Sequence, residues 1–315
     1  MISMEKVYDV IIIGAGPAGM AATLYASRAN LSTLLLERGI PGGEMLNTSE
    51  IENYPGFSSV LGPELANKMY EGAMQFGAEY AYGDVNDIQL DGHIKHVHVG
   101  EKVYSAFAIV IATGAHHRKL NVLGEEQYNG RGVSYCAVCD GAFFKNEKLV
   151  VVGGGDSAVE EGTYLTQFAK EVTIIHRRDQ LRAQKILQDR AFKNEKLNFI
   201  WDSVVKEIIG EDNVVKGVTI KNVKTGQIQQ IDARGVFIYV GTLPNTQAFK
   251  HLNITDEEGW IVTNEKMQTT IPGIFAVGDV RAKTLRQVVT AVGDGGQAGQ
   301  EVYHYVEQLK EQIHE

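Results

Sequence analysis

Only two of the 315 residues are cysteine, Cys136 and Cys139, too few for a scaffold stapled by disulfides. Long hydrophobic runs are also missing. Apolar segments such as Val10 to Ile13 and Phe107 to Ala112 are of strand length, far short of the ~20 residues a membrane-spanning helix needs. The opening "MISMEKVYDV" lacks the basic region and apolar stretch of an export signal. The expectation is a mature chain beginning there, in a reducing, cytoplasmic compartment where a disulfide is transient and catalytic. Excess positive charge is absent too: 30 Lys and Arg against 39 Asp and Glu give a net charge of −9, which opposes nucleic acid as a general partner. What remains, 44% hydrophobic and 22% charged residues, is ordinary for a globular protein, and the length predicts two domains.

The cysteines form a Cys-x-x-Cys pair in "SYCAVCDG", a spacing that serves either half of a zinc site or a redox disulfide. Zinc needs about four ligands. His116 and His117 lie upstream without the usual paired spacing, and His93, His96 and His98 in "HIKHVH" nearly alternate, as on a solvated strand face. No metal site is expected.

The chain then says one thing twice. "VYDVIIIGAGPAGMAATLYASRA" is a buried-strand pattern followed by Gly14, Gly16 and Gly19 and a helix-forming segment, the order a dinucleotide fingerprint requires. The first glycine makes the turn, the second admits a pyrophosphate to the helix N-terminus, and the third lets helix and strand pack closely. The next strand, "TLLLE", ends in Glu37, placed to bond a ribose hydroxyl. "KLVVVGGGDSAVEEG" repeats the pattern as GxGxxA, with Gly153, Gly155 and Ala158. Counting 23 residues from Gly14 reaches Glu37, whereas counting 23 from Gly153 reaches His176, with Arg177, Arg178 and Arg182 following. Forked guanidinium groups match a 2′-phosphate that a carboxylate would repel, which points to NADP in this half. "FAIVIATGAHH" and "GVFIYVGTLPN" are equivalent strand endings, and "GIFAVGDVR" supplies a further strand after the second repeat. The reading is an α/β protein of two Rossmann-like dinucleotide-binding domains, the second inserted into a discontinuous first. The expected boundaries are 1–117 and 246–315 for the discontinuous domain and 118–245 for the inserted one, which carries the Cys-x-x-Cys pair.

Together "GAGPAGM", "ATGA", "CAVCDG", "GGGDSAVEE", "HRRDQLRA", "VGTLPNT", "GIFAVGDVR" and "RQVVTAVGDGGQA" resemble the low-molecular-weight thioredoxin reductases over essentially the whole chain. The resemblance implies an NADPH domain inserted into a discontinuous FAD domain, thioredoxin as the protein substrate, and a homodimer; from run lengths and charge, no membrane or nucleic acid partner is expected. It implies FAD contacts at Asn53, Asp279, Arg286, Gln287 and Val288. The remaining candidate contacts of the first domain are Pro17, Ala18, Arg38, Gly42, Gly43, Glu44, Val85, Thr113, Gly114 and Gly278, and of the second Asp156 and Ser157. The larger glutathione-reductase relatives carry cysteines soon after the first fingerprint; here that region reads "RGIPGGEMLN". Glu44 stands where many relatives have Gln. Ionised and close to the flavin, it would lower the flavin potential; turned to water, it would not.

The implied relay runs from NADPH to flavin to a Cys136–Cys139 disulfide and on to a partner disulfide. Asp140 is the candidate acid/base, with capping of the following turn as its structural alternative. Because donor site and disulfide share the inserted domain, rotation of that domain between half-reactions is expected. Two rival readings stay open, a related flavin-dependent ferredoxin–NADP reductase and an NADPH-binding redox-sensing module.

Overall fold

A computed structural model describes residues 6–48 and 50–314. The mature start expected at residue 1 lies outside the described residues. The chain divides into two compact units, one built from Met1–His116 and Pro244–Glu315, the other from His117–Leu243.

The first unit opens with β1 (Val7–Ile13), α1 (Pro17–Arg28), β2 (Thr33–Glu37), α2 (Gly62–Met74), β3 (Glu79–Tyr82), β4 (Asp87–Asp91), β5 (Ile94–Val99) and β6 (Lys102–Ile111). The inserted unit holds β7 (Val133–Ser134), α3 (Ala137–Asp140), β8 (Lys148–Gly153), α4 (Asp156–Leu165), β9 (Glu171–Ile175), α5 (Lys185–Phe192) and β10 (Leu197–Ile200). A meander, β11 (Ser203–Glu211), β12 (Val214–Asn222) and β13 (Ile228–Asp232), precedes its last strand, β14 (Gly235–Tyr239). The first unit resumes with β15 (Ile274–Ala276) and closes on α6 (Val288–His314).

In the first unit the strand order is β3-β2-β1-β6-β5-β4, with β15 also on β6. The strands around β1 are parallel, and the β4–β5 hairpin joins antiparallel to β6. Strand periodicity sends Val10 and Ile12 to one face, into a cluster with α1 and α6, and Ile11 and Ile13 to the other. Both faces are covered, which is why β1 reads as continuous apolar sequence rather than as an alternation. The inserted unit repeats this with the parallel order β7-β14-β8-β9-β10, Val151 and Phe237 on one face and Val150, Val152, Val236 and Ile238 on the other. Its β11–β12–β13 meander forms a separate antiparallel sheet.

The "HIKHVH" stretch does alternate, but its inward face carries a lysine. Lys95 is buried beside Val97 and Val99, while His96 and His98 occupy the other, half-buried face. The Lys95 ammonium donates to the carbonyls of Phe107 (2.9 Å) and His93 (3.2 Å) and to the Tyr305 hydroxyl (3.1 Å). Among the described residues no carboxylate offsets its burial, which pushes the group down to about 8 from 10.5. The folded protein therefore holds Lys95 neutral between these values while the unfolded chain protonates it. Stability gains from this group as pH rises from about 8 to 10.5, and the charge penalty is fully present below 8. Urea unfolding across that range should show wild type gaining on Lys95→Met as pH rises; a constant difference would contradict this.

Candidate active site

Two strand–turn–helix corners and one short disulfide turn carry the chemistry. At the first corner Gly14 takes φ 104°, which a side chain would resist. A Cβ on Gly19 would fall 1.8 Å from the Gly14 carbonyl oxygen, so α1 approaches the turn more closely than any other residue allows. Beside Gly16 a Cβ would meet nothing within 4 Å, leaving room at the N-terminus of α1. The Gly42–Gly43 turn is fastened by its Gly42 N–H to the Ala15 carbonyl (2.8 Å), and a Cβ on Gly43 would stand 3.2 Å from the Gly16 Cα. Glu37 ends β2 with both carboxylate oxygens accepting from main chain, Oε2 from Ala15 N–H (2.7 Å) and Oε1 from Gly39 N–H (2.8 Å). The carboxylate therefore shapes the turn, whatever lone pairs it also offers a ribose. Arg38 follows, exposed, and Pro17 and Ala18 begin α1.

Residues from both ends of the chain meet here. Asn53 donates to the Gln287 side-chain carbonyl at 3.0 Å across 234 positions. Thr113 and Asn245 exchange two hydrogen bonds, hydroxyl to carbonyl at 2.7 Å and amide to carbonyl at 2.8 Å, and Asn245 N–H donates to Gly114. Asp279, after Gly278, has a buried Oδ1 without a partner. Burial raises its pKa, against the pull of Lys283 and Arg286, with Asp294 and Glu44 adding to the rise. Arg286 lies over the Trp260 ring, 3.6 Å from its centroid, and donates to the carbonyls of Asp279 (3.2 Å) and Arg281 (3.1 Å). Val288 opens α6. Val85 is placed with its side chain in the core. Glu44 is exposed in the turn after Gly43, within 3.5 Å of the Asn47 amide.

Spacing alone did not reveal the support behind Asp279. Asp294, one turn or so into α6, accepts through Oδ2 from Gly278 N–H (3.0 Å), Arg281 (2.8 Å) and Lys283 (2.9 Å). It lies within "VGDGGQA", but nothing in that motif points back to the strand-end loop.

At the second corner Gly155 likewise has open space, and Asp156 and Ser157 begin α4. His176 packs over Gly154 so closely that a Cβ there would lie 2.3 Å from Nδ1. Burial, reinforced by Arg182, Arg177 and Arg178, holds His176 below the usual histidine range, and its buried Nε2 has no partner. Arg177, Arg178 and Arg182 are exposed. Their loop is tied down twice, by Arg182 N–H to the Gly154 carbonyl (2.7 Å) and by Gln184 to both oxygens of Asp156 (2.7 and 2.8 Å). Asp156 thus orients the basic loop. The nearby acids Asp179 and Asp202 are paired with Lys224.

Each corner fits a dinucleotide: an open space at a helix N-terminus beside the second glycine, and a buried polar atom awaiting a partner. The first adds no basic cluster. The second adds three arginines and a neutral imidazole, donors suited to a phosphomonoester.

Between β7 and the following turn, Cys136 and Cys139 are joined as a disulfide, their Cα atoms 5.4 Å apart. Ser134 holds the entry: Cys136 N–H donates to its Oγ (3.0 Å), which donates to the Cys136 carbonyl (3.1 Å). Cys139 N–H donates to Cys136 Sγ at 3.1 Å. Cys139 is exposed and Cys136 half-buried. Asp140 makes no capping bond to the next turn through its side chain, so the structural alternative for that carboxylate is not realised. Among the described residues no group of three or more His, Cys, Asp or Glu is arranged to hold a metal ion. Among the same described residues no helix is long and apolar enough to cross a membrane.

The model of the pyridine nucleotide-disulphide oxidoreductases matches residues 8–295, and the chain belongs to that family. Within it the chain is a member of the thioredoxin reductases. It is 64% identical to the thioredoxin reductase of Listeria monocytogenes serovar 1/2a over 313 residues, covering 99% of this chain and 98% of that one. The fold matches the Lactococcus lactis thioredoxin reductase in its FR conformation with a TM-score of 0.94 and 58% identity, covering 96% of this chain and 99% of that one. It matches the Streptococcus pyogenes MGAS5005 thioredoxin reductase with a TM-score of 0.66 and 62% identity, again covering 96% and 99%.

Proposed function

We propose that this protein reduces oxidised thioredoxin with NADPH, using FAD and the Cys136–Cys139 disulfide. The observation that carries the reading is the disulfide turn lying in the same unit as a dinucleotide corner furnished with three exposed arginines. The discontinuous unit holds FAD at Gly14–Gly19, Glu37, Asn53 and Asp279–Val288; the inserted unit holds NADPH at Gly153–Ser157 and Arg177–Arg182. Bound FAD would supply two-electron transfer between a nicotinamide and a disulfide. The protein's own part is to place and protect these groups. Asp279, its acidity weakened by burial, is disposed to share a hydrogen with a ligand hydroxyl. The dithiol formed at Cys136 and Cys139 attacks a partner disulfide as thiolate, and the second sulfur resolves the mixed disulfide. Asp140, adjacent to Cys139, is proposed to accept and return the thiol proton.

Anaerobic NADPH oxidation by the FAD-loaded protein, with and without oxidised thioredoxin, tests this directly. Turnover that depends on thioredoxin is expected. Flavin reduction with no response to any thioredoxin would instead favour the ferredoxin-linked reading.

Arg177 and Arg178 are proposed to grip the 2′-phosphate. With charge-assisted bonds worth ~1.5–3 kcal/mol each, Arg177→Ala combined with Arg178→Ala should raise the KM for NADPH by about 100-fold or more. The KM for NADH should change little, and kcat should be preserved. Equal losses for both nucleotides would show that the arginines merely support the loop.

Rotation of the inserted unit between half-reactions is also proposed. The same unit carries both the nucleotide corner and the disulfide. Locking the units by a cross-link should stop turnover while leaving one half-reaction intact; full turnover in a verified locked form would contradict it.

A further inference from the structure

Tyr239 touches both functional parts of the inserted unit. It is the last residue of β14 and the register partner of Gly153, the first glycine of the second fingerprint. The contact there is tight, since a Cβ on Gly153 would lie 2.3 Å from the Tyr239 carbonyl oxygen. Its side chain runs the other way. The buried phenol reaches into the disulfide turn, where its oxygen accepts from Ala137 N–H at 2.9 Å. Ala137 is fully buried and sits between the two cysteines. Because the oxygen is an acceptor from this amide, the hydroxyl keeps its own hydrogen to donate.

The surroundings are built for a neutral, hydrogen-bonding phenol. Burial raises the Tyr239 ionisation far above its usual range, and the nearby carboxyls of Glu161 on α4 and Asp140 on α3 add to it. Glu161 has a buried Oε2 without a partner. Burial, helped by Glu160, pushes Glu161 up to about 8, and burial, helped by Glu161, raises Tyr164 on the same helix. On the remaining side the His117 ring meets Tyr239 edge-on at 5.9 Å and stacks on Tyr135 at 6.3 Å.

We propose that Tyr239 is a positioning residue that couples the second nucleotide corner to the redox disulfide, so that nucleotide held at Gly153–Gly155 biases the disulfide–dithiol equilibrium of Cys136 and Cys139. The inference rests on the reading of that corner and that disulfide given above. When the disulfide is reduced, the S–S bond breaks, two electrons originating from NADPH enter, and two protons complete two S–H groups. The turn between the cysteines then loses its covalent closure, and Ala137, together with the Ser134 bonds to Cys136, keeps it fastened to the sheet. A nucleotide that tightens the Gly153 turn acts on the main chain of Tyr239 and, through the hydroxyl, on Ala137. Such coupling is reciprocal: the factor by which nucleotide shifts the redox equilibrium equals the factor by which reduction shifts nucleotide affinity.

The test uses FAD-loaded protein equilibrated anaerobically in thiol–disulfide buffers, with the dithiol fraction trapped by alkylation and the flavin followed by its absorbance. The probe is 2′-phospho-ADP-ribose, which lacks nicotinamide and carries no hydride. In wild type the probe is expected to change the disulfide equilibrium constant about tenfold, close to 30 mV for a two-electron couple. Its Kd should differ by the same factor between oxidised and dithiol protein. In Tyr239→Phe, which keeps the ring, the shift should fall below about twofold while probe affinity for the oxidised form stays within threefold. An unchanged equilibrium in wild type overturns the coupling without recourse to any variant, and an undiminished shift in Tyr239→Phe overturns the role of the hydroxyl. Since the buffers reduce the disulfide chemically, either result is separate from a failure of NADPH or thioredoxin to turn over.

Discussion

Replacing Cys139 by serine should reduce thioredoxin-dependent NADPH oxidation by on the order of 10³-fold or more, because removing one member of a group that acts as a unit removes nearly all of its effect. A serine oxygen cannot form the S–S bond that stores the electron pair. The single thiol left at Cys136 can attack a partner disulfide, yet no second sulfur remains on this turn to resolve the adduct forward, and the thiolate released on the partner reverses it. Reduction of the flavin by NADPH is a different half-reaction, whose proposed nucleotide contacts lie at Gly153 and the arginine loop. The variant should therefore still bleach the visible absorbance of its flavin with NADPH and should yield no reduced thioredoxin. Stopped-flow absorbance and non-reducing electrophoresis read these outcomes separately. Sustained turnover with thioredoxin in Cys139→Ser would mean that electrons leave by a route other than this turn. The exposure of Cys139, against the half-buried Cys136, is consistent with a turn that presents sulfur to a protein partner.

The features that could be read from the sequence are those encoded by period or by short spacing. Continuous apolar strands before Gly14 and Gly153 are legible as buried parallel strands because both faces of each sheet are covered. The exchange of Glu37 for His176 at the same count from the first glycine is legible for the same reason, since both positions close a strand of one repeated unit. What was not legible depends on distant residues meeting. Nothing local announces that Asn53 will bond Gln287, or that both oxygens of Glu37 will bind main-chain amides. The role of Asp156 emerges only when Gln184, 28 positions later, closes on it. Lys95 is the sharpest departure, because an alternating strand predicts an apolar residue on its inward face. Here three oxygen acceptors, from His93, Phe107 and Tyr305, make a lysine tolerable there.

Asp294→Ala should have the second large effect, and its origin is electrostatic rather than catalytic. Arg281, Lys283 and Asp294 have side-chain exposures of only 13%, 12% and 13%, so their charges interact with little screening. Truncating the carboxylate leaves two largely buried cations facing one another and a Gly278 N–H without its acceptor. Breaking a buried pair by removing one partner costs about 3–5 kcal/mol. For a unit of this size the midpoint of thermal unfolding should fall by roughly 6 °C or more. The same loop carries Asp279, whose unpartnered Oδ1 is available to a ligand hydroxyl. Loosening Gly278 lets that carboxyl wander, so FAD affinity should weaken about 100-fold beyond the loss of fold stability, a factor equivalent to about 2.7 kcal/mol. Titrating apoprotein with FAD and following flavin fluorescence gives the affinity, while thermal unfolding of apoprotein and FAD-loaded protein separates the two effects. If the apoprotein is destabilised but FAD binds as tightly as in wild type, Asp294 serves the fold alone. If FAD affinity falls while Asp294→Asn restores only the Gly278 hydrogen bond and not the binding, the charge on this carboxylate is what holds the loop that carries Asp279.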